Sequence, residues 1–322
     1  MNIEISESHN RLYQKLYQDL GEDIRCLLSD KTVNEIMVNP DGQLWVDSID
    51  KGLVVCGEVL PSRTLSIIHA VAGLHGFVVT QQQPYLEAEL PYFSEMRGER
   101  FTAQVPPIVS SPGFTIRKKS SFIFKLEDYV DTGRLTLEQA TILRDCVCQR
   151  KNMLLCGGPG SGKTTFANAL IEQAVVTNKN QRWVVLEDLP ELRCSAPNQV
   201  SMLTSNNVDM RSLLRAAMRM RPDRILMGEV RGGEALDLLK AWNTGCPGGL
   251  CTVHANGAEE AVQRILDLSM ETGLTIPPIS LLAQTIDVIV FITRKGYHSG
   301  FVQEIRALKG VKNGEVQFEK LD

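Results

Sequence analysis

Met153-Leu154-Leu155-Cys156-Gly157-Gly158-Pro159-Gly160-Ser161-Gly162-Lys163-Thr164-Thr165 is the stretch on which the reading of this 322-residue chain turns. Its apolar start reads as a buried strand over 152–156. Gly157 to Thr164 fits the pattern G-x-x-x-x-G-K-[ST], and a helical pattern begins at Lys163. Glycines let successive backbone N–H groups curl around an anion, and the N-terminus of the following helix adds positive potential. Gly158, Pro159, Gly160, Ser161, Gly162, Lys163, Thr164 and Thr165 are therefore the expected cradle for a nucleotide's phosphates. Lys163 would reach the β- and γ-phosphates, and the Thr164 hydroxyl would ligate Mg²⁺.

A phosphate loop names a ligand class and no task, so the acids around it carry the next step. Glu187-Asp188-Leu189-Pro190-Glu191 follows the apolar run Val184-Val185-Leu186, and Gly228-Glu229-Val230-Arg231 follows Ile225-Leu226-Met227. Each run places a carboxylate at the C-terminal end of a strand, where parallel sheets gather their ligand sites. One acid can hold Mg²⁺ through its water shell while another polarises the attacking water. Which of Glu187 and Glu229 is the principal base stays open at this level. His254 ends the run Leu250-Cys251-Thr252-Val253, a position suited equally to a γ-phosphate sensor and to a structural hydrogen-bonding group. His69 and His75 fall in a helical pattern and at its end, and read as structural.

From 136 onward short apolar runs alternate with helical patterns, which predicts an α/β fold with a mostly parallel sheet covered on both faces. A terminal meander follows over 301–318. The earlier part reads as a smaller α+β unit. It has an amphipathic helix over 10–28, a hairpin of 33–38 with 43–46 about the turn formers Pro40 and Gly42, a helix over 65–74, and strands over 100–105 and 113–117. Around 125–134 periodicity fails and polar, turn-forming residues take over, so we divide the chain into 1–125, a linker at 126–135, and 136–322.

With 43% hydrophobic and 22% charged residues the chain has ample material for its cores, and intrinsic disorder is excluded. The 34 Lys and Arg against 38 Asp and Glu give a net charge of −4, so strong direct binding of nucleic acid is not expected. Eight cysteines include no Cys-x-x-Cys pair and read as reduced, buried thiols. The start carries no basic region followed by an apolar stretch, and the apolar run 288–292 falls far short of the ~18 residues of a membrane span. These features predict a cytoplasmic protein that meets a membrane only through partners.

Four segments in order, GGPGSGKTT (157–165), VLEDLPEL (185–192), RPDRILMGEVRGGEALDLLKAW (221–242) and GGLCTVHANGAEEAVQRIL (248–266), resemble the Walker A, Asp box, Walker B and His box of the secretion ATPases. That family powers type II secretion, type IV secretion and type IV pili. Within it the chain is most similar to the conjugal-transfer branch typified by TrbB, through EIMVNPDGQLWVD (35–47), FTIRKKS (114–120) and KAWNTGCPGG (240–249) as well. The resemblance implies a homo-hexameric ring of two-domain subunits, each with a RecA-like C-terminal ATPase domain and an N-terminal domain that closes over the nucleotide. It implies ATP and Mg²⁺ as ligands, and inner-membrane channel and coupling proteins as partners at the cytoplasmic face of the inner membrane.

By position, the resemblance makes Arg117 the arginine that reaches the phosphates from the N-terminal domain, with Arg100 as second candidate. Lys163, Glu187, Glu229 and His254 become catalytic residues, and Thr164 and Glu229 the Mg²⁺ residues, Glu229 through water. Arg231, and Arg219 with Arg221, would serve neighbouring subunits. Cys246 departs from the histidine common in that branch, and the tetracysteine zinc element of many type II enzymes is absent. The implied function is ATP hydrolysis driving assembly of, or transfer through, a type IV secretion or conjugation apparatus. A pilus-retraction motor and a docking ring acting through its binding states are the alternatives.

Overall fold

Leu16, Leu20, Ile24 and Leu28 recur at every fourth position, which lines them along one side of helix α1 (Glu7–Ser29), and all four are buried. Gly21 breaks the helical geometry midway with φ 61°. The computed structural model describes residues 7–48, 51–118, 123–205, 207–296 and 298–322. The chain divides into two units, Met1–Phe122 and Ile123–Asp322. In the first, α1 is followed by β1 (Val33–Val38), β2 (Gln43–Ser48), β3 (Gly52–Glu58), α2 (Pro61–Leu74), β4 (Tyr85–Glu89), β5 (Tyr92–Phe93), β6 (Met96–Arg97), β7 (Arg100–Gln104) and β8 (Gly113–Arg117). An antiparallel sheet runs β3-β2-β1-β8-β7-β4, and β5 pairs with β6. Alternation decides which residues face the core: Phe114 and Ile116 of β8 are buried, and Arg117 at its end is exposed.

The second unit contains α3 (Leu126–Asp131), α4 (Leu137–Cys148), β9 (Met153–Gly157), α5 (Lys163–Thr177), β10 (Trp183–Glu187), β11 (Gln199–Leu203), α6 (Met210–Ala217), β12 (Arg224–Met227), α7 (Glu234–Asn243), β13 (Leu250–His254), α8 (Ala258–Met270), α9 (Ile279–Thr285), β14 (Val288–Lys295), β15 (His298–Lys312) and β16 (Glu315–Lys320). Its sheet runs β11-β10-β12-β13-β9-β14-β15-β16; the first six strands are parallel and the last two antiparallel. The strands feed two cores in alternation. Leu154 and Cys156 join α6 to α9 on one face, and Met153 and Leu155 join α3 to α5 on the other. Such two-sided burial is why these strands read as unbroken apolar runs in the sequence.

The stretch 126–135, expected to be a linker, contains α3, whose Leu126 and Tyr129 are buried in the second unit, with Tyr129 edge-on to Phe166 at 4.9 Å. Six residues are under two turns, too few for an apolar period to show. The short α9 escaped for the same reason, and β3 because most of its side chains are exposed and do not alternate. Among the described residues no cysteine is paired. Cys26, Cys56 and Cys148 are exposed, contrary to the reading of all eight as buried thiols. No helix of the described residues is long and apolar enough to cross a membrane.

The strand ends opposite the phosphate loop are organised around Arg224. This buried guanidinium lies over the Trp183 ring at 5.0 Å, and it donates to Gln181 Oε1 at 2.7 Å and to the Gly248 carbonyl at 3.1 Å. Burial pulls it down from the ordinary arginine value to about 10. Next to it, Gly249 donates its N–H to Asn152 Oδ1 at 2.9 Å, and its carbonyl accepts from Met153 N at 2.9 Å, so the turn before β13 is tied to the root of β9. A Cβ on Gly249 would stand 2.2 Å from the Trp242 ring. Cys246 in this turn is a buried packing thiol, its Sγ 3.5 Å from the Pro222 carbonyl. Gly249→Ala, which must displace buried Trp242, is expected to cost about 1–3 kcal/mol. The cost appears as a lower urea midpoint in tryptophan fluorescence, and an unchanged midpoint would contradict this packing.

Candidate functional site

The C-terminal ends of β9, β13, β12 and β10 lie side by side, and each delivers one of the side chains singled out in the sequence. After β9 the chain turns through Gly158 to Gly162 into α5, with Gly160 at φ 66° and Gly162 at φ 87°, a region glycine enters without strain. Gly157 could be nothing larger, because a Cβ there would lie 2.3 Å from the Ile292 carbonyl of β14. Gly158, Pro159, Gly160, Ser161, Gly162, Lys163, Thr164 and Thr165 thus form a continuous turn ending in the first residues of α5.

Lys163 is only 7% exposed, and the way its charge is accommodated organises the site. Its Nζ donates to the carbonyl oxygens of Gly157 at 2.9 Å and Gly158 at 3.0 Å, and stands 3.2 Å from Nδ1 of His254. Facing an ammonium, Nδ1 accepts, which leaves the ring proton on Nε2. That nitrogen lies 2.8 Å from Glu229 Oε1. The other oxygen, Oε2, accepts from Arg231 Nε at 2.8 Å. Burial first, and then the charge of Lys163, hold the His254 imidazole below its ordinary value against the opposing pull of Glu229. A neutral ring between a cation and a carboxylate results.

The loops carrying the acids are held from beneath. Thr252 Oγ1 donates to the Gly228 carbonyl at 2.7 Å, and Val230 N donates to the Thr252 carbonyl at 2.9 Å, which anchors the segment bearing Glu229 to β13. Glu187 is 2% exposed, and its Oε1 accepts from Glu191 N at 2.9 Å and Leu192 N at 2.7 Å. Asn168 of α5 closes the same loop, donating from Nδ2 to the Glu191 carbonyl at 3.1 Å and accepting at Oδ1 from Arg193 N at 2.8 Å. Nothing in the sequence pointed to Asn168 or Thr252, since their work is done through backbone partners that only the fold brings near.

Lys163, His254 and Glu229 are therefore brought into one line, with Glu187 on the next strand end, its Cγ 3.3 Å from where a Cβ of Gly228 would stand. Arg117 belongs to the first unit, at the end of β8, directly across the sheet from Arg100 on β7 and from Glu35 on β1. Arg100 is paired with Glu87 at 3.3 Å. Lys119, beside the Arg117-Lys118 pair, lies outside the described residues. Arg231 turns back onto Glu229 within its own chain, whereas Arg219 and Arg221 are exposed after α6. His75 caps α2, its Nε2 2.7 Å from the Glu89 carbonyl, which is the structural role expected of it.

The chain is 42% identical over 312 residues to a conjugal transfer protein, TrbB, of Rhizobium radiobacter, covering 97% of this chain and 95% of that protein. It is 32% identical over 293 residues to the type IV secretion system protein VirB11 of Bartonella quintana, covering 78% of this chain and 80% of that one. Among solved structures, the ATPase DotB of Legionella pneumophila superposes with a TM-score of 0.63 at 16% identity, covering 95% of this chain and 80% of that one, a likeness of fold. A model of the type II/IV secretion system protein family matches residues 19–304, and the chain belongs to that family.

Proposed function

We propose that this protein is a Mg²⁺-dependent ATPase that converts ATP and water to ADP and phosphate. As a homo-hexameric ring at the cytoplasmic face of the inner membrane, it would drive assembly of, or transfer through, a conjugation or type IV secretion apparatus together with channel and coupling proteins. The observation that carries the chemistry is the contact line Lys163–His254–Glu229 across three adjacent strand ends. The 42% identity to a conjugal transfer protein over nearly the full chain favours the conjugation machinery over a pilus-retraction motor.

Phosphate oxygens entering the loop offer Lys163 a charged acceptor in place of two neutral carbonyls, and charge-assisted bonds are the stronger. As Lys163 turns to them, His254 loses one of the causes of its low basicity, takes up a proton from solvent at Nδ1 and becomes a donor toward the terminal phosphate. Glu229, reached by His254 on one oxygen and by Arg231 on the other, stands as general base for the attacking water. Glu187 acts by holding the loop 188–192 in place. A hydroxyl from Thr164 and, through water, the Glu229 carboxylate are oxygen donors of the kind Mg²⁺ prefers; bound there with ATP, the ion would offset phosphate charge. The family resemblance assigns to Arg117, at the end of β8, the role of a guanidinium for the phosphates. Its cross-strand neighbours are Arg100, which is paired with Glu87, and Glu35.

Phosphate-release assays separate these roles. Lys163→Ala is expected to lower turnover by about 10²-fold or more, and wild-type turnover in it would sink the site. Glu229→Gln should bind ATP yet lose about 10²- to 10⁴-fold in kcat. Glu187→Gln keeps an oxygen for the two amides and should lose less than about tenfold; equal losses in the two Gln variants would contradict the division of labour. Removal of the ammonium in Lys163→Ala should also raise the His254 pKa, followed by imidazole NMR, and an unmoved value would refute the contact.

A further inference from the structure

The chemistry above gathers on one flank of the phosphate loop. In the sheet order β12-β13-β9-β14, Glu229 follows β12, His254 ends β13 and the loop follows β9, so the terminal phosphate lies on the β13 side. The other flank belongs to β14 and its turn into β15. Gly300 N of β15 donates to the Ser161 carbonyl at 2.8 Å, and a Cβ on Gly162 would meet Gly300 N at 3.1 Å, so hairpin and loop are in backbone contact. On the β14 arm of that hairpin stands Arg294. Its Nη1 lies 3.8 Å from the position a Cβ of Gly160 would take, and its Nε donates to the Gly296 carbonyl at 3.0 Å, which orients the guanidinium over its own turn. The side chain is exposed, and among the described residues no carboxylate pairs with it.

We propose that Arg294 is a nucleotide-binding residue, contacting the phosphates that ATP and ADP share. This deepens the ATPase reading and rests on it. Three features of position carry the argument. The guanidinium reaches the loop beside Gly160, ahead of the residues that feed Lys163 into α5. It approaches from the side of the loop opposite His254, and so away from the terminal phosphate. Its strand is fixed to the loop by the Gly300–Ser161 bond and by the Ile292 carbonyl packed on Gly157, so the charge is held at one place with no carboxylate among the described residues to neutralise it. A cation so held favours bound anion in both nucleotide states, which retains nucleotide without reading the γ-phosphate.

The probes are N-methylanthraniloyl-ADP and a β,γ-imido ATP analogue, titrated onto the full chain with Mg²⁺. Arg294→Gln is expected to raise both Kd values by a like factor, about tenfold. KM for ATP should rise in parallel while kcat at saturating ATP stays within about twofold, and Arg294→Lys should recover part of the affinity. Unchanged Kd values in Arg294→Gln, with an unchanged melting temperature, overturn the proposal. So does a loss confined to the ATP analogue, which would place the guanidinium on the γ-phosphate. Lys163→Ala is the control: persistent binding in it overturns the site reading itself, whereas loss there with full binding in Arg294→Gln removes Arg294 alone.

Discussion

A buried ammonium must be answered, and in this chain the answer organises the site. Lys163 follows a strand buried on both faces and is surrounded by backbone, so its charge is met by two loop carbonyls and one imidazole. That choice of partners fixes the proton of His254 on Nε2, which in turn fixes the contact to Glu229. Remove the ammonium and the tautomer loses its cause, while the low basicity of the ring, set first by burial, loses its second. Through this network a change in the partner of Lys163 is felt at His254.

The rest of the second unit serves to hold the strand ends level. At the far end of the sheet Arg224 and the Gly248–Gly249 turn bind the roots of β9, β12 and β13 to one another. At the near end, Thr252 anchors the Glu229 segment and Glu187 anchors the loop after β10. Polar groups that satisfy buried backbone donors and acceptors cost little and fix geometry, whereas each left unpaired would cost about 1–3 kcal/mol. Glu187 shows how an acid at a strand end can be structural in its own contacts while standing beside the strand end that carries Glu229.

The parts of this arrangement that were legible in the sequence share one trait: they depend on local order. The phosphate loop declares itself because strand, glycines, lysine and helix are contiguous, and the parallel sheet because strands buried on both faces are written as apolar runs such as Val184 to Leu186. Glu229 and His254 stood out because each ends such a run. What was not legible depends on the sheet order β10-β12-β13-β9-β14, which no local pattern encodes. The contacts of Lys163 with His254, of Asn168 with Glu191 and of Gly300 with Ser161 join residues 23 to 139 positions apart only by way of that order. Short helices such as α3 were missed because six residues carry no period, and the different partners of Glu187 and Glu229, backbone amides for one and Arg231 and His254 for the other, came only with the fold.

The central claim is that nucleotide changes the partner of Lys163, and the His254 imidazole reports it directly. Its pKa can be followed by NMR on the full chain without ligand and with a non-hydrolysable ATP analogue and Mg²⁺. Free protein should show a value below the ordinary imidazole range, and the analogue should raise it, because the ammonium leaves and phosphate charge arrives. A His254 pKa that is the same in both states would contradict the account.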